Sequence, residues 1–390
     1  MKEKPNYTLS EMTLYFLKLG TWGFGGPVAL VGYMHRDLVE NKKWVTEDEY
    51  KEGLALSQLA PGPMAAQLGI YMGFIHYSFL GATLAGLAFI LPSFIMVVLL
   101  GMAYKIYSGL PGMQAVFYGV SASVIGIIAI SAYKLTIKSV SSLNLEAIKS
   151  KWLLWIFYIA GIVVTVVTQQ ESILLFLACG LVYMLVKAPP PWIKKPSVIP
   201  SILLMGIGFW QYKGETLEEI GWFFLKAGTF VFGSGLAIVP FLHGGVVNEF
   251  GWLNEKQFVD SVAVAMISPG PVVITVAFIG YLVAGFPGAC VAALATFLPC
   301  YVFTVAFAPS FKKIAKNNSI RAFVDGITSV VIGALVGAVI IIGMRSVIDI
   351  PTALIAVLSM LALIYIKKIK EPYLILLSAV CGLLLKSFFQ

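Results

Sequence analysis

The groups with chemistry in this chain are backbone amides at four interruptions of apolar sequence: Phe24-Gly25-Gly26-Pro27, Pro61-Gly62-Pro63, Phe232-Gly233-Ser234-Gly235 and Pro269-Gly270-Pro271. Proline as first residue of a helix costs little, because its missing N–H has no intrahelical use and its φ is already helical. Glycine beside it leaves neighbouring amides bare. A helix start of this kind carries about half a positive charge and several free donors, enough to hold a phosphate- or sulfate-like ion without a cationic side chain. If the four starts meet, each adds on the order of 0.3 to 2 kcal/mol toward one tetrahedral oxyanion. The bland alternative is tight helix packing.

Side chains near the breaks extend the candidate set beyond Gly25, Gly26, Pro27, Gly62, Pro63, Gly233, Ser234, Gly235, Gly270 and Pro271. Lys18 and Lys226 lie inside apolar runs, where an unpaired lysine at a helix centre costs roughly 2.5 to 3.5 kcal/mol. Attraction of an anion is one use for them; snorkelling to the interface is the other. Thr21 is shared between the copies as Thr229, whereas Ser57, Gln58 and Gln67 answer to Ala265, Met266 and Thr275, so the site is expected to be asymmetric. Ser234 and Ser268 are further local donors. Each hydroxyl can equally bond its own helix. His35, beside Arg36, Asp37 and Glu40, and its counterpart His243 could carry a coupling proton; a hydrogen-bonded loop histidine is the simpler reading.

The elements that must position these groups are two copies of one unit. Phe16 to Pro27 returns 208 positions later as Phe224 to Gly235, and Lys18, His35, Trp44, Glu47 and Pro61-Gly62-Pro63 all find their match at that spacing. After one deletion the spacing becomes 207, and Gly81, Pro92, Gly119 and Gly126 match Gly288, Pro299, Gly326 and Gly333. Doubled units with Gly and Pro inside apolar segments are the pattern of a transport site at a repeat interface near the membrane midplane. The chain divides into a first repeat over 1–187, a Pro-rich linker with a short apolar segment over 188–213, and a second repeat over 214–390.

At 59% hydrophobic and 12% charged, the chain cannot bury its apolar surface as a water-soluble globule, whose charged fraction is about a quarter. An all-α polytopic membrane protein is expected, with clear spans over 79–104, 113–133, 320–344 and 350–366. Lys134, Lys138, Lys149 and Lys151 occupy one loop of the first copy, against Arg345 alone in the second. The preceding loop reverses the bias, with Lys105 against Lys312, Lys313, Lys316 and Arg321. Since basic residues in short loops favour the cytoplasmic side, equivalent loops face opposite sides and the repeat is inverted. That parity requires 198–212 to cross. The first two segments of each half either cross as broken helices or dip in as re-entrant hairpins; the basic Arg36-to-Lys51 loop favours hairpins.

The net charge of +8 sits in short loops as an orientation signal, so nucleic acid is not an expected partner; membrane lipid is. Cys179, Cys290, Cys300 and Cys381 lack C-x-x-C spacing and read as small buried hydrophobes. The polar start, Met1 to Ser10, leads into a segment without a cleavage site, so no removable signal peptide is expected. No cofactor or metal is expected, and without a Walker A, H-E-x-x-H or Ser-His-Asp pattern neither an ATP-driven pump nor a membrane hydrolase has its parts. A gradient-driven transporter remains, beside an anion channel on the same helix starts and a scaffold that passes no ion. A homodimer is left open.

With those residues in view, Phe24-Gly25-Gly26-Pro27, His35-Arg36, Trp44, and Pro61-Gly62-Pro63 with Gln67 resemble the chromate ion transporter family, in the two-domain, long-chain arrangement. The resemblance covers nearly the whole chain. It implies halves of opposite orientation and a multi-pass protein of the bacterial plasma membrane that exports chromate, with sulfate the natural competitor. Gly25, Gly26, Pro27, Pro61, Gly62 and Pro63 carry the family motif, while the second copy departs from it at Ser234-Gly235 and at Gly244, which replaces Arg36.

Overall fold

The computed structural model describes residues 6–24, 26–140, 144–170, 172–190, 215–231, 235–311, 317–366, 369 and 371–388. Among them are fifteen α-helices and no strand. Gly25, Gly233 and Ser234, and the expected crossing over 198–212, lie outside the described residues. Among the described residues, four helices are long and apolar enough to cross a membrane: Met64–Tyr107, Pro111–Ser139, the run Val272–Ser310 and Asn318–Ser346. Leu87, Leu91, Ile95 and Leu99 project from one face of the first of these at four-residue spacing, each about half exposed. Water would penalise that stripe and hydrocarbon would not. The chain is an all-α polytopic membrane protein.

Local sequence explains where the elements start and stop. Helix α1 (Leu9–Trp22) begins at a capping box between Thr8 and Glu11, and α3 (Glu47–Leu59) at one between Thr46 and Glu49. Asn254 and Gln257 repeat the second box before Glu255–Ile267. In each, the side chain of the N-cap takes an orphan amide of the first turn. Helix α3 ends because Ala60 precedes proline and is pushed to extended backbone, at φ −81° and ψ 143°. Ser268, before Pro269, does the same at φ −73° and ψ 144°.

The chain turns back on itself at the first two interruptions of each half. After α1 come α2 (Gly26–Met34) and a π-helical turn (His35–Asn41), and Trp44 then stacks on Tyr7 at 4.5 Å between ring centroids. The segment therefore starts and finishes at one end of the molecule, with Gly23, Phe24 and Gly26 at its far tip. Helix α3 and the following helix are likewise folded together, since a Cβ on Gly53 would meet the ring of Tyr71 and the methyl of Met72. Residues 60–63 form the tip. The second half repeats the pattern, with Trp252 against Phe223 and Phe250.

The 44-residue stretch Met64–Tyr107, α4, is two helices joined at a sharp turn. Tyr77 and Ser78 leave helical geometry, and Ser78 sits at φ 51°. Gly73 and Gly81 pack backbone on backbone across the turn, where a Cβ on either would fall 2.2 Å from the other's carbonyl oxygen. In the second half the turn is Ala284-Gly285, with Gly280 against Gly288.

The two halves interlock. Helix Pro111–Ser139 of the first half packs against Ile350–Tyr365 and Glu371–Phe388 of the second. Its counterpart Asn318–Ser346 packs against Trp152–Thr168 and Ile173–Lys187 of the first. Glycines permit the crossings: Gly119 and Gly126 lie against the backbones of Ser378 and Ala356, Gly161 against that of Val330.

Candidate anion site

Each Pro-Gly-Pro tip is bonded to the other half. The N–H of Gly62 donates to the carbonyl of Val231 at 2.6 Å, and the N–H of Gly270 donates to the carbonyl of Gly23 at 2.9 Å. These are the same bond written twice, since 208 separates Gly62 from Gly270 and Gly23 from Val231. Gly23 and Val231, the residues directly before the two Gly-rich interruptions, are thus each coupled to the Pro-Gly-Pro tip of the other half. Gly235, four residues after Val231, lies against Val273, just past the other Pro-Gly-Pro tip, and so links the two couples. Two glycine amides are consumed by the pairing and are not free for a ligand.

Helix geometry leaves other amides. Sequence predicts Pro63 and Pro271 as first helical residues; the structure places both one position earlier, as N-caps with extended ψ of 111° and 127°. A proline cap has no side-chain acceptor, so α4 starts without a capping bond. Its first turn, Met64, Ala65 and Ala66, is buried, and among the described residues those three N–H groups meet no acceptor before Gln67 N–H closes on the Pro63 carbonyl. A buried and uncapped helix start is the arrangement that calls for a ligand. The second copy has a shorter version, Val272 and Val273, the first two residues of a 3-10 turn that closes with Ile274 N–H on the Pro271 carbonyl.

Side chains of the two couples differ. Gln67, fully buried, donates from Nε2 to the Pro61 carbonyl at 2.7 Å. At the other tip Thr275 is turned to the carbonyl of Val272, and the Pro269 carbonyl instead accepts from Ser93 Oγ of the first half at 2.7 Å. Ser93 also lies 3.3 Å from the Gly20 carbonyl. Its repeat counterpart, Cys300, sits against Gly62. Sequence reasoning missed Ser93, although its place after Pro92, matched by Cys300 after Pro299, was a usable sign.

The remaining sequence candidates have other surroundings. Thr21, Thr229, Ser57 and Ser268 each donate to a carbonyl of their own helix. Lys18 and Gln58 are exposed, and Lys226 reaches over the Trp222 ring at 5.5 Å. Gly26, at φ 70°, has open space where a Cβ would go, and Pro27 follows half-buried. An apolar cavity of about 100 Å³, lined by Leu56, Leu59, Ala60, Phe307, Phe311 and Ile320, abuts the first tip through Ala60.

The histidines bond carboxylates away from the tips. His35 bonds Glu47 at 2.9 Å and Glu40 at 3.1 Å, and the first of these holds the Glu47 carboxyl below its usual range, with Lys51 assisting. Arg36 pairs with Asp37 at 3.0 Å and faces solvent. His243 bonds Glu255 at 2.9 Å, and Arg345 joins the same carboxylate. Burial first, and Arg345 second, push the His243 imidazole down to about 4, so it stays neutral at physiological pH. The third histidine, His76, takes the Tyr7 hydroxyl at 2.5 Å and faces Glu49 at 3.4 Å.

Asp260 is a further missed residue, legible as a single acid in an apolar run. It is fully buried and accepts from Tyr104 at 2.8 Å and Ser121 at 3.1 Å. Asp260→Leu should cost about 1 to 3 kcal/mol for the stranded Tyr104 hydroxyl alone. In a thermal melt of detergent-solubilised protein, adding Tyr104→Phe should recover much of that loss; a double variant no more stable than the single one would refute the pairing.

Comparison with known proteins now adds an independent line. Residues 10–184 and 218–383 match the family described as Chromate transporter. The chain is 58% identical to the chromate transport protein of Cupriavidus metallidurans, over 97% of this chain and 94% of that one. It is 55% identical to a probable chromate transport protein of Synechococcus elongatus, over 97% and 96%, and 29% identical to the chromate transport protein of Pseudomonas aeruginosa, over 86% and 80%. No solved structure is a significant match.

Proposed function

This chain belongs to the chromate transporter family, a family of membrane transporters, and from that premise we propose a secondary active exporter that holds chromate at the cross-paired helix starts. The observation that carries the reading is the reciprocal bonding of Gly62 to Val231 and of Gly270 to Gly23. It ties each Pro-Gly-Pro tip, the first with the buried uncapped amides of Met64, Ala65 and Ala66 behind it, to the other half at Val231 or Gly23, and Gly235 against Val273 links the two couples. Neutral donors in a water-poor setting bind an anion strongly because the surrounding dielectric screens little.

In this reading the halves are inverted repeats and their first two segments are re-entrant hairpins. Support comes from the opposed lysine bias of equivalent loops and from the return of the chain to Tyr7 at Trp44, after the turn that follows Phe24. Alternating access is then a rocking of one interlocked half against the other around a fixed site. Export is driven by a proton, counter-anion or voltage gradient. His35, half-exposed between Glu40 and Glu47, is better placed than the neutral, buried His243 to exchange a proton with solvent. Sulfate is the competing substrate to test.

Purified protein in proteoliposomes, given radiolabelled chromate under imposed pH or voltage gradients, should show saturable flux and accumulation against the chromate gradient. A gradient-independent leak that does not saturate would assign the same site to a channel instead.

A further inference from the structure

Gln67 has one committed end and one idle end. Its Nε2 lies on the Pro61 carbonyl and 2.9 Å from where a Cβ on Gly62 would be, so the carboxamide is wedged into the first tip. Which end is which follows from chemistry: the Pro61 carbonyl can only accept, so it must face the NH2 group, and a flipped amide would set two acceptors together. The Oε1 atom is then left fully buried with no hydrogen-bond partner among the described residues. Buried polar atoms are nearly always satisfied, and a native exception points to an unseen partner. Beside the bare N–H donors of Met64, Ala65 and Ala66, the idle atom is an acceptor.

A bare oxyanion cannot satisfy it, because every oxygen of chromate or sulfate dianion is itself an acceptor. We infer that the site takes the oxyanion in a hydroxyl-bearing form, hydrogen chromate, with the O–H donating to Gln67 Oε1 and the remaining oxygens facing the amides of Met64, Ala65 and Ala66. The inference rests on the proposed anion site. It supplies what helix starts alone lack, a way to tell chromate from sulfate. Hydrogen chromate gives up its last proton near neutrality and is present in cells, whereas hydrogen sulfate does so far into the acid range and is not. Sulfate would leave Oε1 stranded and press a bare oxygen against it. A site built to bond a hydroxyl rejects the analogue without one far more sharply than it separates two shapes.

Hydrogen phosphate and monofluorophosphate make the test clean, being tetrahedral dianions of similar size that differ in one hydroxyl. Both are used as competitors of radiolabelled chromate flux in proteoliposomes, at one mildly alkaline pH, so any titration of the protein is common to the pair. Hydrogen phosphate should inhibit at a concentration at least about tenfold lower than monofluorophosphate, and sulfate should behave like monofluorophosphate. In Gln67→Met, of similar length without the amide, the two should inhibit alike. Equal inhibition of the wild type by both phosphates, or an undiminished preference in a folded Gln67→Met, overturns the inference and leaves the transport reading standing. Absence of any saturable chromate flux removes the transport reading itself, and the inference with it. If Gln67→Met does not fold, the wild-type comparison decides alone.

Discussion

Gly270→Ala is expected to unfold the protein well below the wild-type temperature and to abolish chromate flux. Gly270 sits at φ 91°, a region that costs an L-residue about 1 to 2 kcal/mol. A Cβ there would also fall 2.0 Å from Ser93 Oγ, which is itself held by the Pro269 carbonyl and has little freedom to retreat. Overpacking of this kind adds typically 1 to 3 kcal/mol. Gly32→Ala is the control, since open space surrounds that position and its φ is ordinary. Combining Gly270→Ala with Ser93→Ala should recover the overlap and leave the φ strain, a partial rescue readable as a double-mutant cycle. Thermal midpoints in detergent, followed by tryptophan fluorescence, would measure the wild type, Gly270→Ala, Ser93→Ala, their combination and Gly32→Ala. A Gly270→Ala protein as stable as Gly32→Ala would mean that the tip does not require its backbone conformation.

The reciprocal bonds explain why both Pro-Gly-Pro motifs persist while their neighbours diverge. Each glycine serves the opposite half, so its geometry answers to the partner and not to its own copy. The side chains that complete each tip are free to differ: Gln67 satisfies Pro61 from within the first half, and Ser93 satisfies Pro269 from across the interface.

Much of this arrangement was legible in the residues. The repeat, the long apolar helices and the four interruptions follow from spacing and composition, because lipid imposes continuous apolar runs and tolerates a break only for a reason. The asymmetry of Gln67 against Thr275 was visible too. What could not be read was pairing: nothing in the text of the sequence says that Gly62 meets Val231 and not Phe24, since that contact depends on how two hairpins from different halves are brought together. For the same reason Ser93 and Asp260 escaped notice, their partners lying 176 and 156 residues away. The hydroxyls of Thr21, Ser57 and Thr275 were ambiguous between ligand and helix; all three face helix carbonyls.

Met64→Pro isolates the backbone chemistry from everything else. Met64 opens the helix directly after Pro63, whose extended ψ of 111° is what a following proline requires. The first turn of a helix accepts proline because its N–H groups are not used within the helix. The substitution therefore deletes one N–H and a methionine side chain, and Met64→Ala deletes the side chain alone. A hydrogen bond to a charged group is worth about 1.5 to 3 kcal/mol, so chromate should bind Met64→Pro roughly ten- to a hundredfold more weakly than Met64→Ala, with both folded. Titrating radiolabelled chromate onto the purified proteins reads the ratio directly. Equal affinities would place the anion away from this helix start, because a neutral donor that touches the ligand cannot be removed without cost, whereas one that merely lies nearby can.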